Sequence, residues 1–127
     1  MRYLLDTHTF LWFLLNNDSL SKTVRDIIED SPILYLSIVS LWEIAIKTSI
    51  HKLNLKNRTL ADLLNACKEK NIQILPITPK HIEEVSTLPF IHRDPFDRML
   101  VAQAKVERMT LITHDQYIPQ YPIEIVW

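Results

Sequence analysis

The sequence predicts a three-layer α/β/α fold, in which helices cover both faces of a central, mostly parallel sheet. Short apolar runs alternate with helical segments along the chain, an order that is typical of βαβ units. These runs are mainly continuous, as expected of strands that are buried on both faces. The 127 residues contain no internal repeat or linker, so we expect one domain over residues 1–127.

Composition narrows the classes of function. The net charge is −1, so the chain lacks the overall positive charge of many nucleic-acid-binding proteins. Cys67 is the single cysteine, which excludes a disulfide within the chain and fits a reducing, cytoplasmic setting. The absence of glycine excludes the phosphate-binding P-loop and the dinucleotide fingerprint. We expect no signal peptide and no membrane-spanning segment.

In the first half of the chain, apolar periodicity and capping residues predict two strands and three helices. The expected elements are a strand over Arg2–Leu5, a helix over Thr7–Asn16, a helix from Ser19 or Ser21 to Glu29, a strand over Ile33–Ser37, and a helix over Leu41–Ile50 capped by Ser40.

The second half continues the alternation after a polar loop. The expected elements are a loop over His51–Arg58, a helix over Thr59–Lys70, a strand over Ile72–Leu75, a helix over Pro79–Thr87, a helix that starts at Pro95, and strands over Thr110–Thr113 and Ile123–Val126. Asp94 is a suitable N-cap for the helix at Pro95, because proline is favoured at the first helical position. Asp97 lies in the first turn, outside the apolar stripe of that helix.

Four acidic residues are expected at one edge of the sheet, where α/β proteins bind ligands. Asp6 follows the first strand and Asp115 follows the fourth. Glu43 lies near the start of the helix after the second strand, and Asp97 lies at the start of the helix that leads into the fourth. Such convergence of like charges requires a positive partner, and Mg²⁺ or Mn²⁺ prefers oxygen ligands of this kind.

Each acid also has a structural alternative. Asp6 can cap the next helix, Asp115 can stabilise a turn, and Glu43 can pair with Lys47 at i,i+4. Asp94 and Asp97 can form a capping arrangement, with Asp94 paired to Arg98. The five histidines show no spacing typical of zinc sites. His92 and His114 flank Asp94 and Asp115 and are candidates for groups that support the site or contact substrate, although we expect ordinary loop residues.

Four segments together resemble the motifs of the PIN domain family, and most closely its branch of VapC-type toxins from bacterial toxin–antitoxin pairs. They are Leu4-Leu5-Asp6-Thr7-His8, Ser40-Leu41-Trp42-Glu43-Ile44-Ala45-Ile46-Lys47, the stretch from His92 to Ala104 that contains Asp94-Pro95-Phe96-Asp97-Arg98, and Leu111-Ile112-Thr113-His114-Asp115. The resemblance runs over the whole chain, with the motifs in the order of the family.

The resemblance implies a Mg²⁺- or Mn²⁺-dependent ribonuclease. Its acidic quartet corresponds to Asp6, Glu43, Asp97 and Asp115, which would bind the metal. Thr113 matches the hydroxyl position of the family, while Thr7 and Asp94 would support the site. The family also implies a homodimer and an antitoxin whose tail covers the groove. Here the final acid is followed by Gln116-Tyr117 and Ile118-Pro119, which leaves the shape of that loop open.

Three basic residues, Lys47, Arg93 and Arg98, are candidates for contacts with RNA phosphates, although solvated surface is an equally good interpretation of each. Two other functions stay open at this point. A phosphatase with an Asp nucleophile usually carries a second Asp two residues later, where this chain has His8. A non-catalytic binding or signalling module of the same fold is the second alternative.

Overall fold

The computed structural model describes residues 1–127 and confirms the three-layer α/β/α fold. The elements are β1 (Tyr3–Leu5), α1 (Thr7–Leu14), α2 (Lys22–Asp30), β2 (Leu34–Ser37), α3 (Ile38–Ser49), α4 (Leu60–Glu69), β3 (Ile72–Leu75), α5 (Pro79–Thr87), α6 (Pro95–Glu107), β4 (Thr110–Ile112), a 3₁₀ turn (Ile118–Gln120) and β5 (Ile125–Val126). No helix is long and apolar enough to cross a membrane.

The sheet has five strands in the order β3-β2-β1-β4-β5, and every neighbouring pair is parallel. Alternate side chains of its strands enter two separate cores. Leu5 and Ile112 belong to a core on one face, and Leu4 and Leu111 belong to a core on the other. Since both faces are buried, the central strands are mostly apolar.

The strand order reverses beside β1, because the chain first adds β2 and β3 on one side and later adds β4 and β5 on the other. The carboxyl ends of β1 and β4 therefore flank the crevice at which open α/β sheets bind ligands. Asp6 follows β1, while Thr113 and Asp115 follow β4.

One capping prediction was wrong. Ser37 rather than Ser40 caps α3, and its hydroxyl oxygen accepts a hydrogen bond from the Val39 N–H at 3.0 Å. The chain passes from β2 into the helix without a loop, so α3 begins three residues earlier than predicted, at Ile38. Glu43 consequently lies in the second turn of α3, and Ser40 is buried within the helix.

Candidate metal and active site

Asp6 is held at the end of β1 by both of its carboxylate oxygens. Its Oδ1 accepts a hydrogen bond from the Thr9 N–H at 2.8 Å and so caps α1. Its Oδ2 accepts a hydrogen bond from the Thr113 hydroxyl, which links β1 to the end of β4. The side chain is buried, and burial raises the pKa of Asp6 despite these hydrogen bonds, which lower it.

The start of α6 directs a second carboxylate into the same crevice. Asp94 Oδ1 accepts hydrogen bonds from the N–H groups of Phe96 and Asp97 at 2.8 and 3.2 Å, and Pro95 occupies the first helical position as predicted. This capping orients the first turn, in which Asp97 lies. Burial, followed by the negative charges of Asp94 and Asp6, raises the pKa of Asp97 to about 7.

Asp115 is placed by the loop that follows β4. Its Oδ1 accepts hydrogen bonds from the N–H groups of Tyr117 and Ile118 at 2.7 and 3.1 Å. Its own N–H donates to the Thr113 hydroxyl oxygen at 3.1 Å, so Thr113 contacts two of the acids. Partial burial favours the neutral form, but the hydrogen bonds from His92, Tyr117 and Ile118 lower the pKa of Asp115 below its ordinary value.

His92 bridges two of the carboxylates. Its Nδ1 accepts a hydrogen bond from the Asp94 N–H at 3.1 Å, which assigns the ring proton to Nε2. Nε2 lies 3.0 Å from Asp115 Oδ2 and 3.1 Å from Asp97 Oδ2, and donates toward both. One imidazole nitrogen therefore links Asp97 to Asp115.

Glu43 lies next to this group but has its own partners. Its Oε1 accepts a hydrogen bond from the Thr7 hydroxyl at 2.7 Å, and its Oε2 pairs with Lys47 Nζ at 2.6 Å. Thr7 also lies 2.9 Å from the Ser40 hydroxyl. The buried Glu43 is thus connected to the residue after Asp6, and the i,i+4 alternative of its pairing with Lys47 is also realised.

The structure brings three of the four predicted acids to a single cleft of about 240 Å³. Its lining comprises Asp6, His8, Trp12, Asp97, His114 and Asp115. Glu43 is absent from this lining. The cleft presents three carboxylates, and His92 hydrogen-bonds to two of them. Burial, and after it the neighbouring negative charge, raises the pKa of Asp97. One ligand atom each from His92, Asp97 and Asp115 lies within 4.8 Å of the others. Since His92 Nε2 carries the ring proton in this arrangement, the carboxylate oxygens of Asp6, Asp97 and Asp115 are the set that fits a hard divalent cation.

The three basic candidates differ in their surroundings. Lys47 is paired with Glu43, and Arg98 donates to the carbonyl oxygens of Pro89 and Val85 at 3.1 and 3.2 Å. Arg98 therefore braces the segment before α6, in place of the expected pairing with Asp94. Arg93 is exposed.

The preferred interpretation of His92 as an ordinary loop residue was wrong, because the structure places it against Asp97 and Asp115. Its position two residues before Asp94 is a usable signal, because that spacing lets Nδ1 accept the N–H of the capping residue. The contact of Nε2 with Asp115, by contrast, depends on tertiary structure and has no local signature.

Comparisons with known proteins agree with this architecture. The family model for the PIN domain matches residues 3–124. The structure of VapBC2 from Rickettsia felis bound to a DNA fragment from the promoter contains a similar chain, with a TM-score of 0.72, 16% identity, and coverage of 99% of this chain and 98% of that chain. DNA-bound VapBC from Salmonella typhimurium contains another, with a TM-score of 0.71, 15% identity, and coverage of 99% and 97%.

A toxin–antitoxin complex from Klebsiella pneumoniae also contains a similar chain, with a TM-score of 0.63, 18% identity, and coverage of 98% of this chain and 96% of that chain. These identities are low, so the solved structures support the fold alone. A comparison with curated protein sequences finds no match. The family match spans nearly the whole chain, and the protein belongs to the PIN domain family.

Proposed function

We propose that this protein is a Mg²⁺- or Mn²⁺-dependent endoribonuclease and the toxin of a toxin–antitoxin pair. The observation that carries the proposal is the meeting of Asp6, Asp97 and Asp115 in one cleft at the reversal of the strand order. Membership of the PIN domain family supports nuclease chemistry at this site.

In this proposal, Asp6 and Asp97 bind the metal directly, and Glu43 and Asp115 complete its coordination directly or through water. The metal, when bound, lowers the pKa of a water molecule and stabilises negative charge on the phosphate. Burial of Asp6 and the crowding of charge around Asp97 disfavour ionised carboxylates without a cation, which gives these side chains a reason to bind one.

The surrounding residues position the carboxylates. Thr113 contacts Asp6 and the backbone of Asp115, Thr7 holds Glu43, and Asp94 caps the helix that carries Asp97. We propose that His92 sets the separation of Asp97 and Asp115. Among the basic residues, Arg93 is the best placed to contact an RNA phosphate because its side chain is exposed. Lys47 and Arg98 would first have to leave their present partners.

The proposed partners follow from the similar structures. Two are VapBC assemblies bound to DNA and one is described as a toxin–antitoxin complex. By analogy, we propose that a cognate antitoxin covers the cleft of this chain, that the protein forms a homodimer, and that it acts in the cytoplasm.

The test is cleavage of a mixed RNA pool by the purified, antitoxin-free chain, with Mg²⁺ or Mn²⁺ and with a chelator. We expect cleavage that requires the metal and is lost in Asp97→Asn, which keeps the size of the side chain but removes its charge. Asp18→Asn is the matched control, since Asp18 lies in an exposed turn outside the cleft.

Calorimetric titration with Mn²⁺ separates the possible outcomes. Metal binding that is weakened in Asp97→Asn and kept in Asp18→Asn is expected. Binding of metal by a folded chain that cleaves no RNA would contradict the ribonuclease proposal and favour a binding module. Cleavage that persists in Asp97→Asn would show that the site is wrongly assigned.

A further inference from the structure

Four rings form a continuous aromatic wall on one side of the acidic cleft. The wall consists of His8, Trp12, Trp127 and His114. The His114 and Trp127 rings stack at 4.7 Å between centroids, with only 4° between their planes. Trp127 meets Trp12 edge to face at 5.8 Å, and Trp12 lies 5.8 Å from His8.

The aromatic wall has two rings that pack against the core and two rings that are exposed to solvent. Trp12 and Trp127 pack against the core on one face of the sheet, which fixes their rings. His8 and His114 are exposed. Since Trp127 covers one face of His114, the opposite face remains free for another planar group. His8, Trp12 and His114 all line the cleft that contains the three carboxylates.

The side chains that line this cleft offer little positive charge to RNA. The chain carries a net charge of −1, and the cleft lining contains three carboxylates and no lysine or arginine. Lys47 and Arg98 are occupied by contacts within the chain. Of the basic candidates only Arg93 is exposed, so an aromatic surface that stacks on a base is a further source of affinity at this cleft.

We propose that the aromatic wall stacks an unpaired nucleobase of the RNA, next to the phosphate that the carboxylate site attacks. This inference rests on the proposed ribonuclease function and assigns a base-binding surface to it. Bases within a duplex are already stacked on their neighbours, whereas loops and single strands can offer a free base face. The wall thus selects single-stranded RNA or loops over duplex RNA.

The test measures binding separately from cleavage. All variants are made in the Asp97→Asn background, which lowers the charge of the cleft, and Mg²⁺ is present. A short, labelled oligoadenylate RNA is titrated by fluorescence anisotropy, and quenching of tryptophan fluorescence is followed in parallel as the signature of stacking. We expect binding of the single strand with quenching, and weaker binding of a hairpin duplex.

Substitutions in the aromatic wall test how much its ring faces contribute to RNA affinity. We expect His114→Ala to weaken binding roughly five- to hundredfold, the range for loss of one base–aromatic stack. His114→Phe should retain most of the affinity, because it keeps the planar face and removes the polar nitrogens. Trp127→Leu should reduce both affinity and quenching, with circular dichroism as the check of folding.

Trp42→Leu is the matched control. Trp42 is also exposed, at 59%, and also packs edge to face on a ring, that of Phe96, but it lies outside the aromatic wall. We expect its substitution to leave RNA affinity unchanged.

Four results would overturn the inference. They are equal affinity of His114→Ala and the Asp97→Asn parent, equal losses in His114→Ala and His114→Phe, equal binding of single strand and duplex, or a steep salt dependence that indicates binding mainly through phosphates. None of these results depends on cleavage. Failure of the stacking inference is therefore distinguishable from failure of the ribonuclease proposal, which the metal-dependent cleavage assay tests.

Discussion

Single carboxylates at this site perform two tasks at once. Asp6 caps α1 with Oδ1 and receives the Thr113 hydroxyl with Oδ2. Asp115 stabilises a turn with Oδ1 and faces His92 with Oδ2. The structural hydrogen bond fixes the rotamer of the side chain and thereby directs its second oxygen. In Asp6 and Asp115, the hydrogen bond that stabilises the local backbone therefore also positions the side chain in the cleft.

Thr113 offers a test at the level of one hydrogen bond. Thr113→Val keeps the shape of the side chain but leaves the buried Oδ2 of Asp6 without its donor. We expect the free energy of unfolding to fall by about 1–3 kcal/mol, the usual cost of an unsatisfied buried polar group. Urea denaturation in the presence of chelator measures this change.

Thr113→Ser is the control, because it retains the hydroxyl and removes only a methyl group. Its stability should lie much closer to that of the wild-type protein. Equal destabilisation by Val and Ser would attribute the effect to packing rather than to the hydrogen bond with Asp6.

At the residue scale, sequence analysis predicted which acidic residues meet better than it predicted the contacts that they make. Asp6, Asp97 and Asp115 were expected together because each follows or begins an element at the same edge, and the structure places them in one cleft. The contacts of His92 with two carboxylates could not be predicted, since they depend on the loop after β4. Glu43 was expected with the others but is turned toward Thr7 and Lys47.

At the scale of elements, helices end here without the help of glycine. Arg108 closes α6 in the left-handed conformation, with φ 56° and ψ 47°. Asn71 adopts a similar φ of 56° after α4. Asparagine tolerates this conformation better than arginine does, because its short polar side chain bonds locally to the backbone.

Arg108→Gly should stabilise the protein. The side chain of Arg108 is exposed, so its removal loses little packing, while glycine avoids a conformational cost of about 1 kcal/mol at positive φ. We expect a gain of roughly 0.5–1 kcal/mol in the free energy of unfolding, after allowance for the greater flexibility of the unfolded chain.

Asn71→Gly should give a smaller gain in the same urea denaturation experiment. If Arg108→Gly destabilised the protein, the side chain of Arg108 would have to contribute more than its backbone conformation costs.

The first and last residues of a helix or strand were predictable where nearby residues, such as proline or a capping threonine, mark them. The structure reproduces the predicted bounds of β3 and α5, whose ends are marked by Pro76 and by the Thr78-Pro79 start. The start of α3 was misplaced because serine occurs at both 37 and 40, and sequence alone does not choose between two possible caps. β4 ends at Ile112, one residue before the predicted end, although the Thr113 N–H still donates to the Val126 carbonyl oxygen.

For the whole molecule, the concentration of negative charge at one edge makes stability depend on pH. The pKa of Asp97 rises from 3.8 in its ordinary state to about 7 in the folded protein. The folded state therefore binds this proton more tightly than the unfolded chain does. The resulting stabilisation is complete below about pH 4 and is lost as the pH rises through about 7.

We therefore expect Asp97→Asn to be more stable than the wild-type protein at about pH 8 in chelator, and this advantage to shrink toward about pH 4. At roughly 1.4 kcal/mol for each pKa unit, the difference at high pH should reach several kcal/mol. Urea denaturation across this pH range measures it.

Asp6 and Asp115 also titrate differently in the folded state, the first with a raised and the second with a lowered pKa. Their charges act on Asp97, so the comparison with Asp97→Asn measures Asp97 together with its coupling to these neighbours. Mg²⁺ at high pH should stabilise the wild-type protein and have less effect on the variant. Parallel pH profiles of the two proteins would contradict the raised pKa of Asp97.

The pairing of β1 with β4 has a consequence for the synthesis of the protein. The hydrogen bond between Asp6 and Thr113 joins residues that are 107 positions apart. Asp6 therefore reaches its place in the cleft only after β4 has been synthesised and has paired with β1. An unfinished chain on the ribosome contains Asp6 but has no β4 beside it and no Asp115. If the protein is the ribonuclease proposed above, a chain truncated before β4 should therefore show no cleavage.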